Sequence, residues 1–394
     1  MKRIPLFVLS LVLLVQPTAH AAISTKTITS VASTSSVEGL LLSGASTITY
    51  SNQRNVTSDV VVVAQDINGA QLWTRTIDSG KDELATASTV DSQGNIWLTG
   101  VIATVLPAET TTSTTGIDNP DSVVVDAPTI NHRDLSTLVV WKLSPAGVVT
   151  NTFEQPLAYV PLVTGISVNT SGASIIAMIN GRSSLIQMTP QGVFSKTVSL
   201  GTEKTSFNEV VRTLDGSSYI YGSSSETLQG KKVAGIRDGI LLTINKSGTV
   251  TQLVRSSAIK GNREWQSATS GFVTTGSVVT GKVTETAITQ FTKSFAPTWT
   301  ARYASTGQSR VVTGGGLTYL AFTSRSAITG VSGWKPSSPS LLILAFDGKG
   351  SIKASYAIPA LIAPISLQYT RELGVVGLAT GAGDTVSIFR LTSR

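Results

Sequence analysis

The side chains able to do chemistry are few and widely spaced. Cysteine is absent, and histidine occurs only at His20 and His132. Without a thiol there can be no Cys nucleophile, no Cys-ligated zinc and no iron–sulfur cluster. His20 lies in the extreme N-terminal segment, so one imidazole is left for acid–base work. At most one His-dependent triad can then form, and no centre needing two His ligands can be built within one chain. No P-loop, GxSxG or HExxH occurs. No metal site and no cofactor is expected.

The remaining candidates are charges in four stretches that separate apolar runs. The longest, 102–136, holds Glu109, Asp118, Asp121, Asp126, His132, Arg133 and Asp134. Its oxygen-rich content suits a ligand lid or a cation site. However, no DxDxDG-like run supplies the six to eight oxygens of a calcium loop. A Thr- and Pro-rich surface loop with solvated charges fits the same residues. Lys231, Lys232 and Arg237 fall in 223–237, Arg325, Trp334 and Lys335 in 324–339, and Arg54 in 45–58. An indole beside cations can stack a sugar ring while the cations bond its acidic groups. A solvated face with an isolated Trp is the alternative.

The elements that must position these residues are strands. Period-two alternation and short runs rich in Val, Ile, Leu and Thr dominate, and helical periodicity is weak. Turns such as Asp66-Ile67-Asn68-Gly69, Asp91–Asn95, Pro145-Ala146-Gly147 and Asp347–Gly350 punctuate the runs, with Gly supplying positive φ and Asp or Asn bonding the turn backbone. The runs group into units of four strands, A to D, beginning near residues 27, 84, 162, 207, 264, 307 and 363. Unit one is expected at 27–33, 39–44, 59–65 and 70–76. The last unit has three runs, ending with 384–391. Either Ile23 to Lys26 supplies its fourth strand or it remains three-stranded. Runs such as Val60–Val63 and Leu138–Trp141 are apolar on both faces, as a strand buried between stacked sheets must be. An all-β, seven-bladed β-propeller of four-stranded antiparallel blades follows.

Residues 59–100 resemble the bacterial β-propeller repeat family. The matching positions are Asp59, Asp66, Gly69, Trp73, Asp91, Gly94, Asn95, Trp97 and Gly100, with partial echoes at Arg237–Gly248 and Thr298-Trp299-Thr300. The resemblance implies a propeller and an extracytoplasmic scaffold, and no reaction. Asp66-x-x-Gly69-x-x-x-Trp73 is also similar to the tryptophan docking motif of quinoprotein dehydrogenases. Those enzymes repeat the motif around the ring, whereas here one unit carries it.

The chain opens MKRIPLFVLSLVLLVQPTAHAA. Lys2 and Arg3 form a basic start, Leu6 to Val15 an apolar stretch too short to span a membrane, and Ala19-His20-Ala21 a small-x-small cleavage site. A signal peptide is expected over 1–21, with a single propeller domain over 22–394 carrying the long insertion at 102–136. The protein is then exported, to the periplasm, the cell surface or the medium. No later stretch reaches the roughly 18 apolar residues of a membrane helix, so no insertion is expected after cleavage. Removing Lys2 and Arg3 lowers the formal charge by two, from +7 to +5. That mild surplus, without basic runs, does not point to nucleic acid.

The surplus residues fall between strands B and C, on the face that also carries the D–A crossovers. Loops on a rigid scaffold commonly carry binding. The expected function is therefore a non-catalytic, monomeric scaffold that binds a polysaccharide or a cell-envelope protein at that face. The alternatives are a glycan lyase or hydrolase using Asp and Arg groups over the central channel, and a quinone-dependent dehydrogenase.

Overall fold

The computed structural model describes residues 22–28, 32–34, 36–104 and 135–391. Two short strands come first, β1 (Ile23–Thr27) and β2 (Ala32–Thr34). Four antiparallel sheets follow, each in chain order. The first is β3 (Gly39–Ser43), β4 (Ser46–Arg54), β5 (Ser58–Gln65) and β6 (Gln71–Ile77). The second is β7 (Glu83–Val90), β8 (Ile96–Ile102), β9 (Thr137–Leu143) and β10 (Val149–Pro156). The third is β11 (Pro161–Asn169), β12 (Gly172–Ile179), β13 (Arg182–Met188) and β14 (Val198–Ser199). The fourth is β15 (Thr205–Arg212), β16 (Ser218–Ser224), β17 (Asp238–Ile244) and β18 (Val250–Ser256).

A nine-stranded sheet comes next. It contains β19 (Gly261–Ala268), β20 (Val273–Thr280), β21 (Val283–Phe291), β22 (Pro297–Gly314), β23 (Leu317–Ser324), β24 (Val331–Ser332), β25 (Ser340–Phe346) and β26 (Ile352–Ile358), with β1 between β26 and β24. Strand β22 runs unbroken for 18 residues. Its first part pairs with β21 and its second with β23, so it links two four-stranded groups. The last sheet is β27 (Leu361–Thr370), β28 (Gly374–Gly381), β29 (Val386–Leu391) and then β2.

The first strand of each group faces a common axis. These inner strands touch in the cyclic order β3, β7, β11, β15, β19, β22, β27 and back to β3. Apolar side chains fill the space between neighbouring sheets. Ile48, Val60 and Val62 of the first sheet pack with Leu98, Val139 and Trp141 of the second. Leu40 and Leu42 close the ring against Val376, Leu378 and Ile388 of the last sheet. A sheet apolar on both faces cannot bury both alone, and radial stacking buries each against a neighbour. The fold is an all-β propeller with four-stranded antiparallel blades.

One local irregularity recurs around the ring. The inner strands slip register against their partners between Ala85 and Ala87, Val163 and Gly165, Phe207 and Glu209, Trp265 and Ser267, Ser305 and Ser309, and Pro364 and Ser366. These are β-bulges, which bend a strand and re-aim its side chains. At or beside the bulges, polar side chains reach the next blade. Thr86 donates to the Val163 carbonyl at 2.9 Å and Thr164 to that of Phe207 at 2.9 Å. Asn208 donates to the Trp265 carbonyl at 2.8 Å. The Ser309 amide donates to Gln266 at 3.0 Å, and Arg310 to the Ile365 carbonyl at 2.7 Å. Ser366 reaches the Leu40 carbonyl at 3.4 Å and Asn52 that of Ala85 at 3.0 Å, which completes the circuit. Opposite three bulges stand Gly100, Gly222 and Gly276, where a Cβ would overlap the carbonyl oxygens of Leu84, Ser206 and Glu264.

The other motif residues are also structural. Asp66 and Asp91 bond the backbone of their own turns, in which Gly69 and Gly94 take φ of 85° and 80°. The Trp73 ring packs over Gly147 in the next blade's turn, and its N–H donates to the Pro145 carbonyl at 3.2 Å. Trp299 packs over Gly350 in the same way. Both indoles lie on outer strands and tie neighbouring blades together.

Two expectations are corrected. Unit one does not begin at 27–33. Its inner strand is β3, and the stretch 45–58 that reads as a loop contains β4, whose polar sequence masks it. Nor does Ile23 to Lys26 complete the last blade. Strand β1 adds in parallel to the outer edge of β26, and β2 pairs antiparallel with β29 through Ala32 and Ile388. A parallel partner can extend an outer edge, but only an antiparallel one continues the last blade's meander.

Candidate functional site

The inner strands enclose a central cavity of about 630 Å³. Its wall is made by the later halves of those strands, beyond the bulges and leading into the A–B turns. Most lining residues are Val, Ile, Leu, Ser or Thr. Three charged groups interrupt them: Glu209 and Arg212 on β15, and Arg310 on β22.

Glu209 follows a bulge that turns its side chain towards the lumen. Burial pushes its carboxyl up to about 7; the positive charge of Arg310 and the amides of Val210 and Ala268 oppose this without reversing it. Desolvation disfavours the charged form more than these partners favour it. Near neutrality the group is divided between a hydrogen-bond donor and an acceptor. Arg310 is lowered by burial and raised by Glu209. It is committed to the frame through the Ile365 carbonyl and, at 2.9 Å, the Ser309 carbonyl. Arg212 is held more fully, by the carbonyls of Ser171 and Ala173 at 2.8 and 3.1 Å and by the hydroxyls of Ser171 and Ser174, both at 2.9 Å. Gln368 also lines the cavity, and its side-chain amide has no hydrogen-bond partner among the described residues. The wall thus offers an amide, hydroxyls and a carboxyl raised by burial, in a frame that two guanidiniums keep rigid. Such a surface can bind a polar, hydroxyl-bearing group. Among the described residues its wall holds no nucleophile–base pair.

The residues singled out by sequence are dispersed. His132, Arg133 and Asp134 lie outside the described residues, as do Glu109, Asp118, Asp121 and Asp126. Lys231 and Lys232 are exposed, and the Lys231 ammonium bonds the Leu253 carbonyl at 2.5 Å. Arg237 is half-buried and donates to the Ser223 and Ser206 hydroxyls at 2.7 and 2.8 Å. Arg325 and Lys335 are exposed. Trp334 is not: it is 5% exposed, packs into the core beside Ile328 and Val331, and donates to the Ser324 hydroxyl at 2.9 Å. Its indole seals a blade and has no free face for a sugar. Of the described candidates, Lys231, Lys232, Arg237, Arg325, Trp334 and Lys335 do not line the central cavity. Sequence reading passed over Glu209 and Arg310. The available signal was a charge inside an inner-strand run, in Phe207-Asn208-Glu209-Val210 and Ser309-Arg310-Val311.

Comparison with solved structures supports the fold. The β-propeller domain of the Trilobed protease from Pyrococcus furiosus superposes with a TM-score of 0.51 at 10% identity, covering 91% of this chain and 96% of that one. The WD40 domain of Toxoplasma gondii coronin gives 0.49 at 13% identity, covering 95% and 85%. No protein-family model matches the sequence, and no curated protein matches it. At such an identity the likeness to the Pyrococcus domain supports a β-propeller fold and not an activity.

Proposed function

We propose that the protein is an exported, seven-bladed propeller that acts as a non-catalytic scaffold and binds a glycan segment at the central cavity. The seven-blade count treats the nine-stranded sheet as two blades fused through β22, because both parts of that strand pair as blade strands. Export rests on the N-terminal pattern over 1–21. The observation that carries the binding reading is the make-up of the cavity wall, where the Gln368 amide and Ser and Thr hydroxyls stand beside a carboxyl, Glu209. Sugars are recognised through such neutral donors and acceptors. Among the described residues Glu209 is the single carboxylate in the wall, whereas a paired-carboxylate hydrolase needs two. Exposed Lys232, Arg325 and Lys335 would add a second, electrostatic contact on the B–C side.

Calorimetric titration with neutral and acidic oligosaccharides tests this. A binder should lose about three- to tenfold affinity in Gln368→Ala, the worth of one hydrogen bond. Binding that ignores Gln368→Ala but disappears when Lys232, Arg325 and Lys335 are replaced would move the site to the other face. Turnover of any titrated glycan would overturn the scaffold reading.

A further inference from the structure

A second site lies outside the channel, where the first and second sheets meet. Asp59 is the second residue of β5, Asp78 follows β6, and Glu83 opens β7. One carboxylate oxygen from each lies within 4.8 Å of the other two. Calcium binds oxygens at 2.3–2.6 Å, so two ligands of one ion can stand up to about 5 Å apart.

Proximity of acidic groups alone would mean little, but Glu83 adds a separate observation. It is fully buried, and its Oε1 accepts from the Ser79 amide at 2.9 Å and from the Ser79 hydroxyl. Its Oε2 is buried with no hydrogen-bond partner among the described residues. A buried carboxylate oxygen left unmatched is costly. The surroundings make this worse. The register that pairs Val60 with Ile77 brings Asp59 opposite Asp78, and like charges across strands destabilise a sheet.

The fourth sheet shows how the same position is handled with a protein cation. Asp238 begins β17 as Asp59 lies at the start of β5. There the carboxylate accepts from the Ala234 and Gly235 amides, both at 2.9 Å, and meets Arg255 at 3.5 Å. In the first sheet, Asp59 accepts from the Thr57 hydroxyl at 2.9 Å and the Asn55 amide at 3.3 Å, and Asp78 from the Gly80 amide at 2.7 Å, but no Lys or Arg among the described residues pairs with Asp59, Asp78 or Glu83. Asp78 and Glu83 instead open onto a cavity of about 370 Å³, with Thr152, Glu154, Trp141 and Arg75 in its wall, the Arg75 guanidinium donating to the Gly147 carbonyl at 2.9 Å. That space admits an ion and its waters. The donors are all oxygen, which suits a hard cation.

We propose that Asp59, Asp78 and Glu83 form a calcium site that joins the first two blades. The sequence does not announce it, because the three ligands come from separate elements and not from one loop. The site is independent of the glycan reading of the channel.

The test uses EGTA-treated full-length protein. Terbium should give luminescence sensitised by Trp141, calcium should displace it, and calcium should raise the thermal midpoint by mass action. Asp78→Asn and Glu83→Gln should each weaken calcium at least about tenfold. In EGTA, Glu83→Gln should melt at or above the wild-type temperature, since it removes the unmatched charge, which separates lost binding from failed folding. No calcium-displaceable terbium signal and no midpoint shift at millimolar calcium would overturn the proposal. So would wild-type affinity in both variants.

Discussion

Replacing Glu209 by Gln should stabilise the protein, and by an amount that grows with pH. The carboxyl rises from an ordinary 4.5 to about 7 in the folded chain, chiefly through burial. Between those values the native state binds more protons than the unfolded state, so stability falls as pH rises through the window. At 1.36 kcal/mol per pH unit, the full cost above pH 7 is at most about 3 kcal/mol. Gln keeps the shape and carries no charge, so it escapes this cost. Urea unfolding at pH 5, 6, 7 and 8 gives the variant-minus-wild-type difference directly. That difference should increase by about 2–3 kcal/mol from pH 5 to pH 8. A constant offset reports shape or hydrogen bonding and is immaterial. Glu372→Gln, at an exposed position, controls for general loss of negative charge. A Glu209→Gln difference that stays flat across the series would refute the view that a desolvated carboxyl faces the channel.

Two further outcomes test the frame. Gly100→Ala places a Cβ against the Leu84 carbonyl oxygen, a backbone atom that cannot swing away, and should cost about 1–3 kcal/mol or more. Gly348→Ala, with open space around it, should be nearly neutral in the same thermal unfolding scan. Deleting residues 22–34 removes β1 and β2 and exposes the edges of β26 and β29, so limited proteolysis should cut the last blade first. Unchanged digestion would mean that closure does not depend on those strands.

Much of the fold was legible because its motifs are local. Asp66 with Gly69, and Asp91 with Gly94, set turns within five residues, and apolar runs such as Leu138–Trp141 need burial on both faces whatever surrounds them. Strand β4 was hidden because Ser46, Thr47, Thr49, Ser51, Asn52 and Gln53 give it the composition of a loop. It is a strand because β3 and β5 pair with it on both sides, which no local pattern records. Trp334 was misplaced for a related reason. Residue type gives a side chain's chemistry but not its direction, and the chain around it folds back so that Ile328, Val331 and Trp334 enter the core together. The channel charges were missed because an inner strand's lumenal position is set by a bulge, and a bulge depends on pairing with the next strand.

The bulge connects the frame to the site. Each extra residue breaks the two-residue alternation once, so one side chain turns to the neighbouring blade and the alternation after it is shifted by one residue. On β15, Asn208 bonds the next blade while Glu209, one step on, enters the lumen. On β22, Arg310 serves both purposes, since it holds the Ile365 carbonyl while its charge acts on Glu209. Gly100, Gly222 and Gly276 follow from the same displacement, because the pushed carbonyl leaves no room for a side chain on the partner strand. Substitutions at Asn208 or Arg310 must therefore disturb ring closure and the channel together. Those at Gln368, which supports no neighbour, can change binding alone.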